Sequence, residues 1–282
     1  MALTILGGHG FIGRQYVDDH YDAAIGNIAS INTRDDYEVH SKDVLYLIST
    51  VDNYNVFTAP TLDINTNLLT LISVLENWRL SGNCGVFNFI SSWFVYGDTD
   101  CPYGVKETSL CNPKGFYSIT KRCAEQLLIS YCETFGLKYR ILRLGNVVGP
   151  GKDKVSEKKN ALQYMVNLLK ENKEARVYGT GLTFRDYIHV KDCSRAIELI
   201  LCKGEVNSVY NVGNGQTWPL LHILKFAKEK LNSNSVITLI EPKEFHKKVQ
   251  VESFFMNSTK LFELGYTPEF TGEKLFGSLC EF

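Results

Sequence analysis

The segment Gly7-Gly8-His9-Gly10-Phe11-Ile12-Gly13 constrains the fold of this chain more than any other. It follows the short apolar run Ala2 to Leu6 and precedes Arg14-Gln15-Tyr16-Val17, which can continue a helix. A buried strand, a glycine turn and a helix start, in that order, are what a dinucleotide-binding fingerprint requires. Gly7 allows a tight turn, Gly10 lets the backbone approach a pyrophosphate, and Gly13 lets helix and strand pack closely. Phe11 and Ile12 open the helix, whose free N–H groups and positive dipole end suit phosphate. The spacing is Gly-x-x-Gly-x-x-Gly. The plainer alternative is a glycine-rich turn with no ligand.

Strand and helix patterns alternate beyond this point. Leu3–Leu6, Ile28–Ile31, Val44–Ile48, Val86–Ile90 and Tyr139–Leu144 read as strands, and Leu62–Leu80 and Tyr117–Phe135 as helices. The second helix carries Ala124, Leu127, Leu128 and Tyr131 at helical period. Such alternation predicts an α/β fold, a doubly wound parallel sheet of Rossmann type with helices on both faces. After Pro150 the pattern changes to a charged run, Lys152 to Lys159, then a helix over 160–170. This divides the chain into a dinucleotide-binding domain over 1–146, with a return segment near 186–213, and a smaller C-terminal α/β substrate lobe over 147–282. The stretch between Ile31 and Val44 is too short for the further strand and helix that a full nucleotide-binding half usually places there.

Two further motifs carry chemistry. Ser91 and Ser92 follow the strand Val86–Ile90, and ligands of open α/β sheets collect at the carboxyl ends of strands. A serine there can bond a substrate hydroxyl or carbonyl, or merely cap local backbone. Tyr117 and Lys121, in Tyr-Ser-Ile-Thr-Lys, stand one helical turn apart on one face. A free tyrosine titrates near ~10, and a neighbouring ammonium group favours its phenolate. A surface Tyr/Lys pair is the alternative.

With these motifs in place, the chain resembles the extended short-chain dehydrogenase/reductases, the NAD-dependent epimerase/dehydratase family that modifies nucleotide sugars. Ser-Ser-x-x-Val-Tyr-Gly followed by Tyr-x-x-x-Lys is similar to its catalytic core. Arg143 to Gly151, Tyr178 to Gly181 with Arg185 to Asp192, Tyr210 to Gly213, and Leu264 to Pro268 resemble later landmarks. The resemblance implies Ser92, Tyr117 and Lys121 as catalytic residues, with Lys121 also on the nicotinamide ribose. It implies Asn146, Arg185 and Lys247 at the substrate's diphosphate, although relatives often carry arginine and aspartate near Lys247 and Gln250. Dehydratases of the family place one or two acids directly after the catalytic hydroxyl. Here Trp93 and Phe94 stand there, facing the substrate, and neither can move a proton. Hydride transfer at C4 of a nucleoside-diphosphate sugar remains, by a 4-epimerase or by a reductase of a 4-keto-6-deoxy sugar. A catalytically silent NAD(P)-binding sensor or scaffold is the reading from another class. Cofactor choice turns on the end of the second strand. An acid there favours NAD; Asn32, Thr33 and Arg34 stand there, and Arg34 favours NADP, with Asp35 and Asp36 just beyond.

Composition limits the partners. A formal net charge of -1 argues against nucleic acid. No apolar run reaches membrane-spanning length and no signal peptide precedes the first strand, so a cytoplasmic protein is expected. Eight scattered cysteines without a Cys-x-x-Cys pair suit reduced thiols, with no metal site. Family members pair two helices per subunit into a four-helix bundle. The matching helices carry Leu68, Leu69, Leu71, Ile72 and Leu75, and Leu127, Leu128 and Ile129, more apolar residues than one sheet face needs. A homodimer is expected.

Overall fold

The computed structural model describes residues 3–20, 28–32 (backbone only), 38–82, 84–98, 103–150, 160–251 and 253–281. Thr33 and Arg34, on which the cofactor choice turns, and the charged run 152–159 lie outside the described residues.

The strands are β1 (Leu3–Leu6), β2 (Ile28–Asn32), β3 (Asp43–Tyr46), β4 (Val86–Ser92), β5 (Lys138–Leu144), β6 (Asn146–Val148), β7 (Ala175–Tyr178), β8 (Phe184–His189), β9 (Ser208–Val212), β10 (Thr217–Pro219) and β11 (Ile237–Ile240). The helices are α1 (Phe11–His20), α2 (Leu62–Ile64), α3 (Thr70–Leu80), α4 (Phe116–Phe135), α5 (Ala161–Lys170), α6 (Val190–Lys203), α7 (Leu220–Lys230), α8 (Glu244–Val249), α9 (Thr259–Phe262) and α10 (Gly272–Leu279).

Six strands form one sheet in the order β2-β1-β3-β4-β5-β9, with every pairing parallel. The period-2 pattern sorts side chains to opposite faces. Leu45, Leu142 and Leu144 point to the layer built with α1 and α6, while Val44, Tyr46, Phe87, Phe89 and Ile141 point to the layer of α3 and α4. Both faces are therefore covered, which is the doubly wound α/β fold the alternation predicts. Among the described residues no strand lies beyond β2, as the short stretch before Val44 requires.

Beyond β5 the chain builds a second core. β10, β8 and β6 form a three-stranded sheet, and β11 pairs with β7. Leu162, Val166, Val177, Leu224 and Phe276 join α5, β7, α7 and α10 around one apolar cluster. β9 then returns to the main sheet beside β5. A third cluster seats Trp93, Tyr96, Phe254 and Met256 together, so the segment after Val249 folds back onto the turn beyond β4.

Two local departures matter for the site. β4 runs through Ser92, which pairs with Leu144, so both serines belong to the strand and neither to the turn after it. The helix expected over 62–80 is interrupted by a π-turn at Asn65–Leu69. A π-turn inserts one residue and rotates the rest of the helix about its axis, and such turns often mark functional positions. Here it brings the Asn67 amide inward, where it is 2 % exposed.

Candidate active site

The order β2-β1-β3 places a switch point at the carboxyl end of β1, where the glycine turn sits. Gly7 has φ +87°, a left-handed conformation that favours glycine, and a Cβ there would stand 3.0 Å from the Ile48 nitrogen. At Gly13 a Cβ would be 2.5 Å from the Gly7 oxygen and 2.7 Å from the Gly8 Cα. The first turn of α1 thus rests directly on the end of β1, and only glycine permits it. The exposed Gly10 meets only the Gly7 oxygen, at 3.4 Å. The Gly10 carbonyl accepts the Arg14 N–H at 2.8 Å, so the N–H groups of Phe11, Ile12 and Gly13 precede the helix ladder. This cradle fits a dinucleotide pyrophosphate.

The ends of β3 and β4 and the first turn of α4 converge on Tyr117. Ser92 is 8 % exposed, and its Oγ accepts the Phe94 N–H at 3.3 Å, capping the short turn Trp93–Val95. Tyr117 is half-buried, with its hydroxyl enclosed beside Ser92 and Ser49. Its ring meets Phe94 edge-on, with centroids 6.3 Å apart. Burial pushes the Tyr117 hydroxyl above the ordinary tyrosine range. Ser92 and Ser49 work against that shift, and the Asp63 carboxylate adds to it. Lys121 is fully buried; its ammonium group donates to the Ile90 carbonyl at 2.6 Å and lies 4.2 Å from the Phe89 ring centroid. Burial pushes Lys121 down to about 7, against the pull of Glu125. The sequence leads one to expect Lys121 to draw Tyr117 downward; its ammonium is instead held by the backbone of β4.

The NAD-dependent epimerase/dehydratase family model matches residues 39–213, more than half of the chain. The chain belongs to that family. A putative UDP-glucose 4-epimerase of Methanocaldococcus jannaschii is 25 % identical over 95 % of this chain and 93 % of its own length. A trifunctional UDP-glucose 4,6-dehydratase, 3,5-epimerase and reductase of Arabidopsis thaliana is 30 % identical over 68 % of this chain, but only 28 % of that longer protein is covered. The UDP-glucose 4-epimerase of Thermus thermophilus in complex with NAD superposes with a TM-score of 0.87 at 23 % identity, over 100 % of this chain and 98 % of that one. A Pseudomonas aeruginosa structure with NADPH superposes at 0.82 and 21 % identity, over 99 % and 97 %. At these identities the solved structures establish the common fold.

In this family member the two residues after Ser92 pack rather than ionise. The Trp93 ring stacks on Phe94 at 4.0 Å and touches Phe254 at 4.5 Å. Arg185 lies over the same indole at 5.4 Å and donates to the carbonyls of Phe184, at 2.9 Å, and of Val251. Its neighbour Asp186 is fully buried and accepts the N–H groups of Asn214, at 2.8 Å, and Gly215, at 3.2 Å. Burial still pushes that carboxyl up to about 7, against those two bonds. β8 thus turns Asp186 inward and leaves Arg185 on the wall beside Trp93. Asn146, half-buried on β6, donates to the Asp186 carbonyl at 3.1 Å. Lys247 stands apart: it is exposed on α8, and its ammonium meets Glu241 at 2.6 Å and Glu244 at 3.3 Å.

Several residues of the site escape sequence reasoning. Glu125, one turn beyond Lys121, is completely buried. It takes two hydrogen bonds from Arg143, at 2.9 and 2.8 Å, one from Ser91 at 2.6 Å and one from Arg122 at 2.8 Å. Arg143 also donates to the Tyr96 hydroxyl at 2.9 Å, which in turn donates to Asn211 at 2.6 Å. The two adjacent serines therefore divide: Ser91 braces α4 through Glu125, and Ser92 faces Tyr117. Ser49, Thr50, Asp63, Asn67 and Thr120 form a second buried polar group beneath Tyr117.

Proposed function

We propose that the protein is an NAD(P)-dependent enzyme that transfers hydride at C4 of a nucleoside-diphosphate sugar, as a 4-epimerase or as a reductase of a 4-keto-6-deoxy sugar. The observation that carries this reading is Tyr117 in the first turn of α4, one turn before the buried Lys121 and beside Ser92 at the carboxyl end of β4, with no carboxylate at positions 93 and 94. The nicotinamide, when bound, supplies or accepts the hydride. Tyr117 moves the matching proton at the C4 oxygen, and Ser92 steers it. Phe11, Ile12 and the glycines hold the pyrophosphate, with Asn32, Thr33 and Arg34 on the adenosine side and Lys121 on the nicotinamide ribose. The aromatic pair Trp93 and Phe94 leaves elimination of water without its acid and base. NAD and NADPH both occur among the structural neighbours, and the Thermotoga maritima UDP-glucose 4-epimerase structure contains UDP-glucose. Retention of serine, tyrosine and lysine together disfavours a silent sensor.

Asn146 and Arg185 are assigned to the diphosphate, Arg185 because a planar guanidinium matches phosphate oxygens in pairs. Lys247 joins them only by exchanging its two glutamates for phosphate. Arg185→Ala should raise KM for the nucleotide sugar by roughly 10- to 100-fold, the worth of charge-assisted hydrogen bonds, and leave the dinucleotide Kd unchanged. A shift in the dinucleotide Kd instead moves the residue to the other site. The activity itself is tested by identifying the co-purifying dinucleotide and assaying UDP-, dTDP- and GDP-hexoses and their 4-keto-6-deoxy forms. Turnover of none of them, by protein that binds the dinucleotide, contradicts the reading.

We also propose a homodimer. Of the residues first singled out, Leu71, Leu75 and Leu128 are consumed by the core, whereas Leu69 is 58 % and Leu127 36 % exposed. Phe116 and Ile119 extend the Leu127 stripe along α4, and Leu62 continues the Leu69 side, all exposed. Two adjoining apolar stripes of this kind suit a second copy. Light scattering should return about twice the chain mass of 31.9 kDa. A monomer mass with full activity would remove the dimer as a requirement. The described helices include none long and apolar enough to cross a membrane, and we place the protein in the cytoplasm on its scattered thiols.

A further inference from the structure

A row of aromatic rings links the segment after β3 to the second core. Tyr54 and Phe57 stand on the short helical turn Asn53–Phe57. Phe245 and His246 stand on α8. The Phe245 ring meets Phe57 edge-on at 4.6 Å and Tyr54 at 5.2 Å between centroids. The Tyr54 hydroxyl lies 3.4 Å from the His246 Nδ1, and the His246 ring packs at 4.4 Å on Tyr178, at the end of β7. Tyr54 and His246 are 192 residues apart in sequence, so only the tertiary fold assembles the row. Among the described residues no backbone hydrogen bond joins the turn to α8. Phe57 is 64 % exposed.

The row closes a circuit of contacts around the candidate site. The Asn53 carboxamide lies so close to Gly115, at the start of α4, that no side chain would fit there. Tyr117 follows in the first turn of α4, and its ring meets Phe94. Phe94 stacks on Trp93, and Arg185 covers the same indole. Arg185 donates to the Val251 carbonyl, two residues past α8. α8 then returns to the turn through Phe245. The joints differ in kind. Past α8 the chain is held by backbone: the Val105 N–H donates to the Phe255 carbonyl at 2.8 Å, and the Asn257 N–H to the Val105 carbonyl at 3.0 Å. The joint at the turn is made by side chains half open to water, which is the kind of contact most easily parted.

We propose that Tyr54 and Phe57 clasp Phe245 and His246 across the mouth of the substrate cleft, and that a nucleoside-diphosphate sugar enters and leaves when the clasp parts. This rests on the hydride-transfer reading above for the occupant of the cleft, although the ring contacts stand without it. Tyr117 and Arg185, to which that reading assigns the proton and the diphosphate, both stand on the circuit. An edge-on aromatic pair gains modest energy over a range of centroid separations, so the contact can be broken and remade. Fixed packing would bury these rings; Phe57 instead keeps most of its surface in water. Lids are drawn from parts of a fold held by few buried contacts, and their motion passes substrate in and product out. The clasp closes over an empty cleft as well as a filled one, so it slows entry and exit alike.

The test separates a gate from a binding contact. Dinucleotide-loaded protein is mixed rapidly with UDP, dTDP or GDP, and binding is followed by tryptophan fluorescence, since Arg185 covers Trp93. Phe57→Ala removes the ring contacts with Phe245 and Tyr54. It should raise the association and dissociation rate constants together, by roughly 3- to 10-fold, the worth of an aromatic pair. The equilibrium Kd should change by less than either rate. Phe245→Ala removes the other side of the same contact and should act alike. A ring that merely touched the nucleotide would, once removed, speed dissociation and leave association as it was. Unchanged association of a diphosphate that binds, in either folded variant, overturns the clasp alone. Failure of all three diphosphates to bind, in protein shown to hold the dinucleotide, overturns the clasp together with the nucleotide-sugar reading.

Discussion

Tyr117→Phe is expected to cut turnover by roughly 10²- to 10⁴-fold, the usual worth of a positioned acid or base. The substitution deletes one oxygen and keeps the ring, so the edge-on contact with Phe94 survives. The glycine cradle lies on another strand and gains or loses nothing. Dinucleotide affinity and melting temperature should stay near wild type. The measurement is kcat beside a dinucleotide titration of the same preparation. Wild-type kcat in the variant removes Tyr117 from the chemistry, and a large loss of dinucleotide affinity moves its role to binding.

Arg143→Met is expected to cost about 3–5 kcal/mol of stability, because it strands a completely buried carboxylate. Glu125 would lose two of its four hydrogen bonds and its buried countercharge. Tyr96 would lose its donor as well. For a chain of this size that cost lowers the melting temperature by roughly 5–8 °C. The Glu125→Leu, Arg143→Met double variant should recover much of it, since a well-packed apolar pair often matches a buried ion pair. A single variant as stable as wild type would show that the pair carries no such weight. The pair also fixes a pH dependence. Burial alone would push Glu125 upward, but Arg143, with Ser91 and Arg122, outweighs it and holds the carboxyl below its ordinary 4.5. Its folded value is the lower one, so its contribution is fully present at neutral pH. That contribution is lost as pH falls below about 4.5 and through the folded value.

The first part of the Rossmann-type sheet was legible because its signals are local. Gly7, Gly10 and Gly13 are spaced by the turn itself, and the β1 and α1 patterns flank them directly. The placement of Tyr117 and Lys121 one turn apart on a helix was legible for the same reason. The buried polar layer was not. Asp63, Asn67 and Glu125 read in sequence as surface positions of helices, and only tertiary partners bury them. Asn67 turns inward through a π-turn, which no periodic pattern announces, and the same turn breaks the helix expected over 62–80. Apolar stripes were read from the residue types, yet Leu71 and Leu75 face the sheet while Leu69 faces out. Lys247 shows the limit for charges: sequence supplies the ammonium, and Glu241 and Glu244 decide what it meets.

We propose that this site moves hydride at C4 of a nucleotide sugar while Tyr117 moves the proton. It is tested most directly in a single turnover. Protein loaded with oxidised dinucleotide is mixed with a nucleoside-diphosphate hexose carrying deuterium at C4, and the near-ultraviolet band of reduced nicotinamide is monitored. The band should rise, more slowly with deuterium than with hydrogen, and the rise should be lost in Tyr117→Phe. No reduction by any sugar nucleotide, in protein shown to hold the dinucleotide, would contradict it.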